Sequence, residues 1–121
     1  MKKILLIDDD IVFLKTVQVA LVSKGYEVMQ AHDGEEGFEM IKKDTPNLVL
    51  LDVMMPNLGG MDFLRMIKQD PALKNIPVII VSNLGNAERV SEAMELGAFG
   101  YINKADESLQ TIADSITSAI G

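Results

Sequence analysis

Leu48-Val49-Leu50-Leu51-Asp52, continuing into Val53-Met54-Met55-Pro56, is the stretch whose reading decides the fold. An uninterrupted run of Leu and Val marks a strand buried on both faces, as in a parallel sheet covered by helices. This run stops in a carboxylate. The same happens earlier, where Ile4-Leu5-Leu6-Ile7 ends in Asp8-Asp9-Asp10. Packing alone gives no reason for two buried strands to finish in acids. In open α/β sheets, ligands bind in the crevice outside the carboxyl ends of the strands. The two runs therefore predict a sheet that aims negative charge at one spot, and such a spot needs a cation.

Outward from these runs, five short apolar segments alternate with five amphipathic stretches. Strands are expected at Ile4 to Ile7, Tyr26 to Ala31, Leu48 to Leu51, Val78 to Val81 and Phe99 to Ile102. Leu14, Val17 and Leu21 repeat at helical spacing; so do Val90, Ala93, Met94 and Gly97, and Leu109, Ile112, Ala113 and Ile116. Asp33 with Glu36 three residues on reads as a helix start, and Gly25 and Gly97 stand where helices should stop. Strands alternating with helices of this length imply right-handed βαβ units and a parallel sheet. The expected class is α/β, a (βα)5 doubly wound sheet of five parallel strands. In the order 2-1-3-4-5, strand two lies at the edge and the crevice opens between strands one and three. The 121 residues are expected to form a single domain, residues 1–121, with a radius of gyration of roughly 14 Å. No linker, repeat or output domain is read in them.

Eleven Lys and Arg against 18 Asp and Glu give a net charge of -7. That balance argues against a nucleic-acid surface, which needs clustered basic residues to displace counterions. The absence of Cys excludes disulfides and thiolate metal sites. No apolar stretch approaches the roughly 18 residues of a membrane span, and the run after Met1-Lys2-Lys3 is too short for a secretory signal. The expectation is a cytoplasmic chain with no membrane contact and no direct nucleic-acid binding.

Polar residues collect at strand ends. Asp8 and Asp9 follow the first strand, Asp52 the third, Ser82 the fourth and Lys104 the fifth, while the second ends in Ala31-His32-Asp33 with nothing comparable. Two carboxylates about 5 Å apart repel by roughly 3 kcal/mol at an effective dielectric near 20. Such a cluster either raises a pKa or binds a hard cation. An all-oxygen site with room for water suits Mg²⁺ better than zinc or a closed calcium cage. With the metal, a dianionic phosphoryl group could approach Asp52, with Lys104 as a mobile positive charge and Ser82 as a hydroxyl donor. That is a set of parts for phosphoryl transfer.

Ile7-Asp8-Asp9, Leu51-Asp52-Val53-Met54-Met55-Pro56, Ser82 after Val78-Ile79-Ile80-Val81, Gly97-Ala98-Phe99-Gly100-Tyr101, and Lys104 span essentially the whole chain. In type and spacing the chain resembles the receiver domains of two-component response regulators (CheY-like). The resemblance implies that Asp52 is the phosphoacceptor. It implies that Asp9 and Asp52 bind Mg²⁺ directly with the backbone carbonyl of Met54, and that Asp8 helps through water. By the same resemblance Lys104 holds the phosphoryl oxygens, Ser82 reorients toward them, and Tyr101 moves inward.

The function so implied is a phosphorylation-dependent signalling switch rather than an enzyme acting on other molecules. The phosphoryl group would come from a phosphohistidine on a sensor histidine kinase or phosphotransfer protein. The face of helix 4, strand 5 and helix 5 would then control a downstream effector, the chain being a monomer or a phosphorylation-dependent dimer. Two alternatives within the family are a receiver fragment of a larger transcriptional regulator or hybrid kinase, and a degenerate receiver used as an interaction scaffold. Other classes fare worse. An aspartyl-phosphate phosphatase would carry a second Asp two residues after the nucleophile, where this chain has Met54. A flavodoxin-like electron carrier would need a hydroxyl- and Gly-rich phosphate loop where this chain has three acids.

Several residues have plainer readings. Asp10 is expected to cap the first helix, and Asp106-Glu107 to charge the first turn of the last one. His32 reads as an edge-strand surface residue, and Tyr101 also as a core residue with a wet hydroxyl. Ala105 follows Lys104 where the family commonly has Pro; a cis bond there would cost about 3 kcal/mol, so a trans bond and a differently shaped loop are expected. Gly59-Gly60 stands where the family often has Asp-Gly. Met54 and Leu84, two residues beyond Asp52 and Ser82, are both apolar and cannot orient an attacking water by a hydrogen bond. Slow self-dephosphorylation is therefore expected once Asp52 is phosphorylated, and Met54→Asn should speed it. Loss of label from the phosphoprotein measures this, and an unchanged rate in Met54→Asn removes the stated cause.

Overall fold

The structure, a computed structural model, describes residues 1–53, 59–82, 87–104 and 108–121. Five strands, β1 (Lys3–Ile7), β2 (Glu27–Ala31), β3 (Leu48–Asp52), β4 (Val78–Ser82) and β5 (Gly100–Asn103), alternate with five helices. The helices are α1 (Ile11–Ser23), α2 (Gly34–Lys43), α3 (Gly60–Gln69), α4 (Ala87–Glu95) and α5 (Leu109–Ile120). All four strand pairings are parallel, in the order β2-β1-β3-β4-β5. The expected class and order are both found.

Strand alternation divides the core into two layers. Leu5, Ile7, Val49, Leu51, Val78 and Ile80 pack with Phe63, Leu64 and Ile67 of α3, Ile41 of α2 and Ala93 of α4. On the other face, Ile4, Leu6, Leu48, Leu50, Ile79 and Val81 meet Leu14, Val17 and Leu21 of α1 and Ile112, Ala113 and Ile116 of α5. Every residue of β3 and β4 is buried, which is why their sequences show no polar alternation. The edge strand β2 is only partly covered, and its sequence is correspondingly mixed.

Local signals act where the sequence places them. The Asp10 side chain accepts from the Phe13 amide at 3.1 Å, and that of Asp33 from Glu36 at 2.8 Å, each filling an orphan donor of a helix start. Glu36 reaches back to the His32 amide and ring at 3.2 Å, one residue before the cap. α1 ends with Gly25 N–H donating to Val22 O and Tyr26 N–H to Leu21 O, a paired closure that needs the positive φ of Gly25, +93°. Gly97 closes α4 in the same way at φ +107°.

Some expectations shift. Tyr26 precedes β2 and packs into the α1/α5 layer, and Phe99 precedes β5, donating its amide to Val78 O. Asp52 and Ser82 are the last residues of their strands rather than the first after them. Met94, expected on the buried face of α4, is 41% exposed, and Ala93 is the buried residue of that helix. α5 starts at Leu109 with Ser108 as its cap, so Asp106-Glu107 precede its first turn in sequence; they lie outside the described residues.

Gly60 is fixed by a close approach. A Cβ there would stand 2.2 Å from Asp52 O and 2.6 Å from Val53 Cα, so the start of α3 is packed directly on the backbone that carries Asp52. Gly60→Ala, which would favour an exposed helix by up to about 1 kcal/mol, should here cost about 1–3 kcal/mol through overpacking against backbone. Urea unfolding reads the sign, and a variant as stable as the parent would remove the steric constraint.

Candidate functional site

The register of the sheet brings the strand ends together. Ile7 pairs with Leu51, Asp52 with Val81, and Ser82 with Asn103, so the chain segments leaving β1, β3, β4 and β5 share one rim. Carboxylate oxygens of Asp8, Asp9 and Asp52 lie within 4.8 Å of one another. Asp8 and Asp52 are buried, at 2% and 6% exposure, whereas Asp9 is exposed. Lys104 closes the group, its Nζ 2.7 Å from Asp8 Oδ2 and 3.7 Å from Asp52 Oδ2. The Lys104 amide donates to Ser82 O at 2.8 Å, which ties the end of β5 to that of β4.

Strand alternation explains part of this arrangement. Asp52 has the parity of Leu48 and Leu50, which belong to the α1/α5 layer, and Lys104 has that of Ile102 in the same layer. Ser82 has the parity of Val78 and Ile80, which belong to the opposite layer. It is buried at 4% exposure.

Charge dominates the energetics of the cluster. Asp8 Oδ1 accepts from the Asp10 amide at 2.9 Å. Asp8 Oδ2 is buried with no well-aligned hydrogen-bond donor among the described residues. The Lys104 contact at 2.7 Å is short enough for a hydrogen bond but lacks the alignment, so it acts as an ion pair. Burial alone would pull the Lys104 pKa down; the close contact and charge of Asp8, with the charges of Asp52 and Asp10, outweigh it and raise the pKa above the usual lysine value. Three carboxylates against one ammonium still leave two formal negative charges. A divalent cation supplies that difference, and the donor set, all oxygen with one exposed carboxylate through which water can enter, fits Mg²⁺.

The remaining expected residues are placed differently. Tyr101 is 58% exposed and lines a surface depression between β5 and α5 with Phe99, Ser115 and Ser118, apart from the acids; the reading of Tyr101 as a core residue does not hold. His32 is exposed and faces Glu36. Met54, Leu84 and Ala105 lie outside the described residues. One neighbour escaped sequence reasoning: the Phe13 ring, whose centroid is 4.6 Å from Lys104 Nζ. Its only trace in the sequence is an aromatic three residues after the Asp10 cap, which names no partner.

Comparison with known proteins identifies the family. The family model for the response regulator receiver domain matches residues 4–116. The gliding motility regulatory protein of Myxococcus xanthus is 34% identical over 94% of this chain and 15% of its own length. Response regulator PleD of Caulobacter vibrioides is 33% identical over 92% of the chain and 24% of its own length. The chain thus spans less than a quarter of the length of either curated relative. A crystal structure of a response regulator receiver domain protein from Clostridium thermocellum superposes with a TM-score of 0.90 at 34% identity, covering 99% of this chain and 94% of that one. With a family match over nearly its full length and the five-stranded sheet of that family, this chain belongs to the response regulator receiver domains.

Proposed function

We propose that the chain is a phosphorylation-controlled switch in which Asp52 is the phosphoacceptor. A carboxylate oxygen of Asp52 attacks the phosphorus of a phosphohistidine carried by a sensor kinase or phosphotransfer protein. The P–N bond breaks, the imidazole leaves, and an aspartyl phosphate remains. The observation that carries this reading is the convergence of three carboxylates within 4.8 Å beside a buried lysine ammonium. Asp9 and Asp52 would hold Mg²⁺ directly, with the backbone carbonyl of Met54, and Asp8 through water. When bound, the metal neutralises phosphoryl oxygens and lets the dianion approach.

The residues of the chain do the rest. Lys104, held 12% exposed in its side chain, is withdrawn from bulk water, so its charge acts at short range on the phosphoryl oxygens. Ser82 donates its hydroxyl to one of them. Tyr101 then moves inward from its exposed position and alters the face formed by α4, β5 and α5, which binds the effector in a cytoplasmic pathway. No helix among the described residues is long and apolar enough to cross a membrane.

Incubation with a small phosphodonor and Mg²⁺, followed by intact mass, tests the assignment: the parent should gain one phosphoryl group and Asp52→Ala none. Equal uptake by the variant would remove Asp52 from its role. The same electrostatics set a trade of stability against metal binding. Asp9→Asn removes one of three crowded charges and should stabilise the metal-free protein, by up to about 1 kcal/mol for an exposed charge, while abolishing the rise in thermal midpoint that Mg²⁺ produces in the parent through binding to the folded state. A variant that loses stability in the metal-free state, or that keeps the Mg²⁺-dependent rise, would contradict the proposed metal site.

A further inference from the structure

A closed circuit of contacts runs through Phe13. Asp8 accepts the Asp10 amide through Oδ1 at 2.9 Å, and Asp10 accepts the Phe13 amide through its own Oδ1 at 3.1 Å. The Phe13 ring lies under the Lys104 ammonium, with Nζ 4.6 Å from its centroid, and that ammonium returns to Asp8 at 2.7 Å. Phe13 is half-buried and leans on the α1/α5 core layer, so the cap and the core both restrain the ring.

From this juxtaposition we propose that Phe13 is a positioning residue for Lys104: its ring face, fixed by the Asp10 cap, holds the ammonium where it can reach both Asp8 and Asp52. This rests on the phosphoacceptor reading of Asp52 only for its consequence, not for the contact itself. A lysine on a four-carbon stem has many rotamers, and the two carboxylates alone leave it free to swing toward solvent or toward Asp9. A ring face attracts a cation through its quadrupole and at the same time takes up the volume into which the stem would turn. A leucine could fill the space but has no such face. Tyr or Trp would keep it. Packing alone would give Phe13 the same partial burial, so the test must read the ammonium and not only the fold.

Two measurements do so. In the unphosphorylated protein, the ε-methylene protons of Lys104 should resonate upfield of ordinary lysine because the ammonium they adjoin lies over the ring. They should return to the ordinary position in Phe13→Leu and stay upfield in Phe13→Tyr. In phosphorylation by a small phosphodonor with Mg²⁺, Phe13→Leu should lower the maximal rate about three- to tenfold, the range of a partly desolvated cation–ring contact, without raising the donor concentration at half-saturation, and Phe13→Tyr should restore it. Ordinary Lys104 resonances in the parent would overturn the proposal without any variant, as would a Phe13→Leu protein phosphorylated at the parental rate. If Asp52 were not the phosphoacceptor, Asp52→Ala would still take up the phosphoryl group while the Lys104 resonance shift and its loss in Phe13→Leu persisted, so the two readings fail separately. Should Phe13→Leu not fold, Phe13→Met serves as the ringless variant, with the same expected loss and the same overturning result.

Discussion

Like-charge crowding at the rim of the sheet is the constraint on which the site depends. Three carboxylates within 4.8 Å repel one another, and the unfolded chain would separate them. Nothing local keeps them together: Asp8 and Asp52 are 44 positions apart in sequence. What holds them is the pairing of β1 with β3, from Ile4 opposite Leu48 to Ile7 opposite Leu51, with apolar layers covering both faces. Burial of these strands contributes roughly 25 cal/mol for each Å² of apolar surface, enough over several Leu, Ile and Val residues to offset a few kcal/mol of repulsion. The acids can be concentrated because the strands behind them are wholly apolar.

Lys104 makes the crowding tolerable and also gives it direction. Its ammonium answers a buried oxygen of Asp8 that no aligned donor meets among the described residues, and it remains within 3.7 Å of Asp52. An ammonium tied only to one acid would be a structural pair. Placed between two, with an aromatic face behind it, it answers both buried acids at once. Gly60 acts from the other side, since its missing side chain lets α3 start against the Asp52 carbonyl.

The face proposed to respond is more lightly anchored. Of the described residues of α4 only Ala93 is buried, and Met94, Phe99 and Tyr101 expose apolar surface along α4 and β5. Arg65 of α3 reaches Glu92 of α4 as well as Asp62, but exposed ion pairs contribute little. Elements with few buried contacts are those that open or shift at low cost. The rim therefore joins acids carried on buried strands to a helix, α4, held by a single buried residue.

Legibility divided along the range of the forces involved. The apolar runs, the Asp10 and Asp33 caps and the stops at Gly25 and Gly97 are local, so they could be read directly. Burial on both faces required continuous apolar strands, and that made the parallel sheet readable too. The acids and Lys104 could be named because they stand at strand ends. Their meeting, however, is a matter of register and side-chain parity: why Lys104 shares a side with Asp52 while Ser82 has the other parity, and why Tyr101 points to solvent. The sequence by itself determined the periodicities, the caps and the acidic strand ends, because each depends on neighbours along the chain. Only the tertiary structure decided the ring of Phe13 under Lys104 and the contact of Gly60 with the Asp52 backbone, because both arise between segments whose distance in space no spacing in sequence encodes.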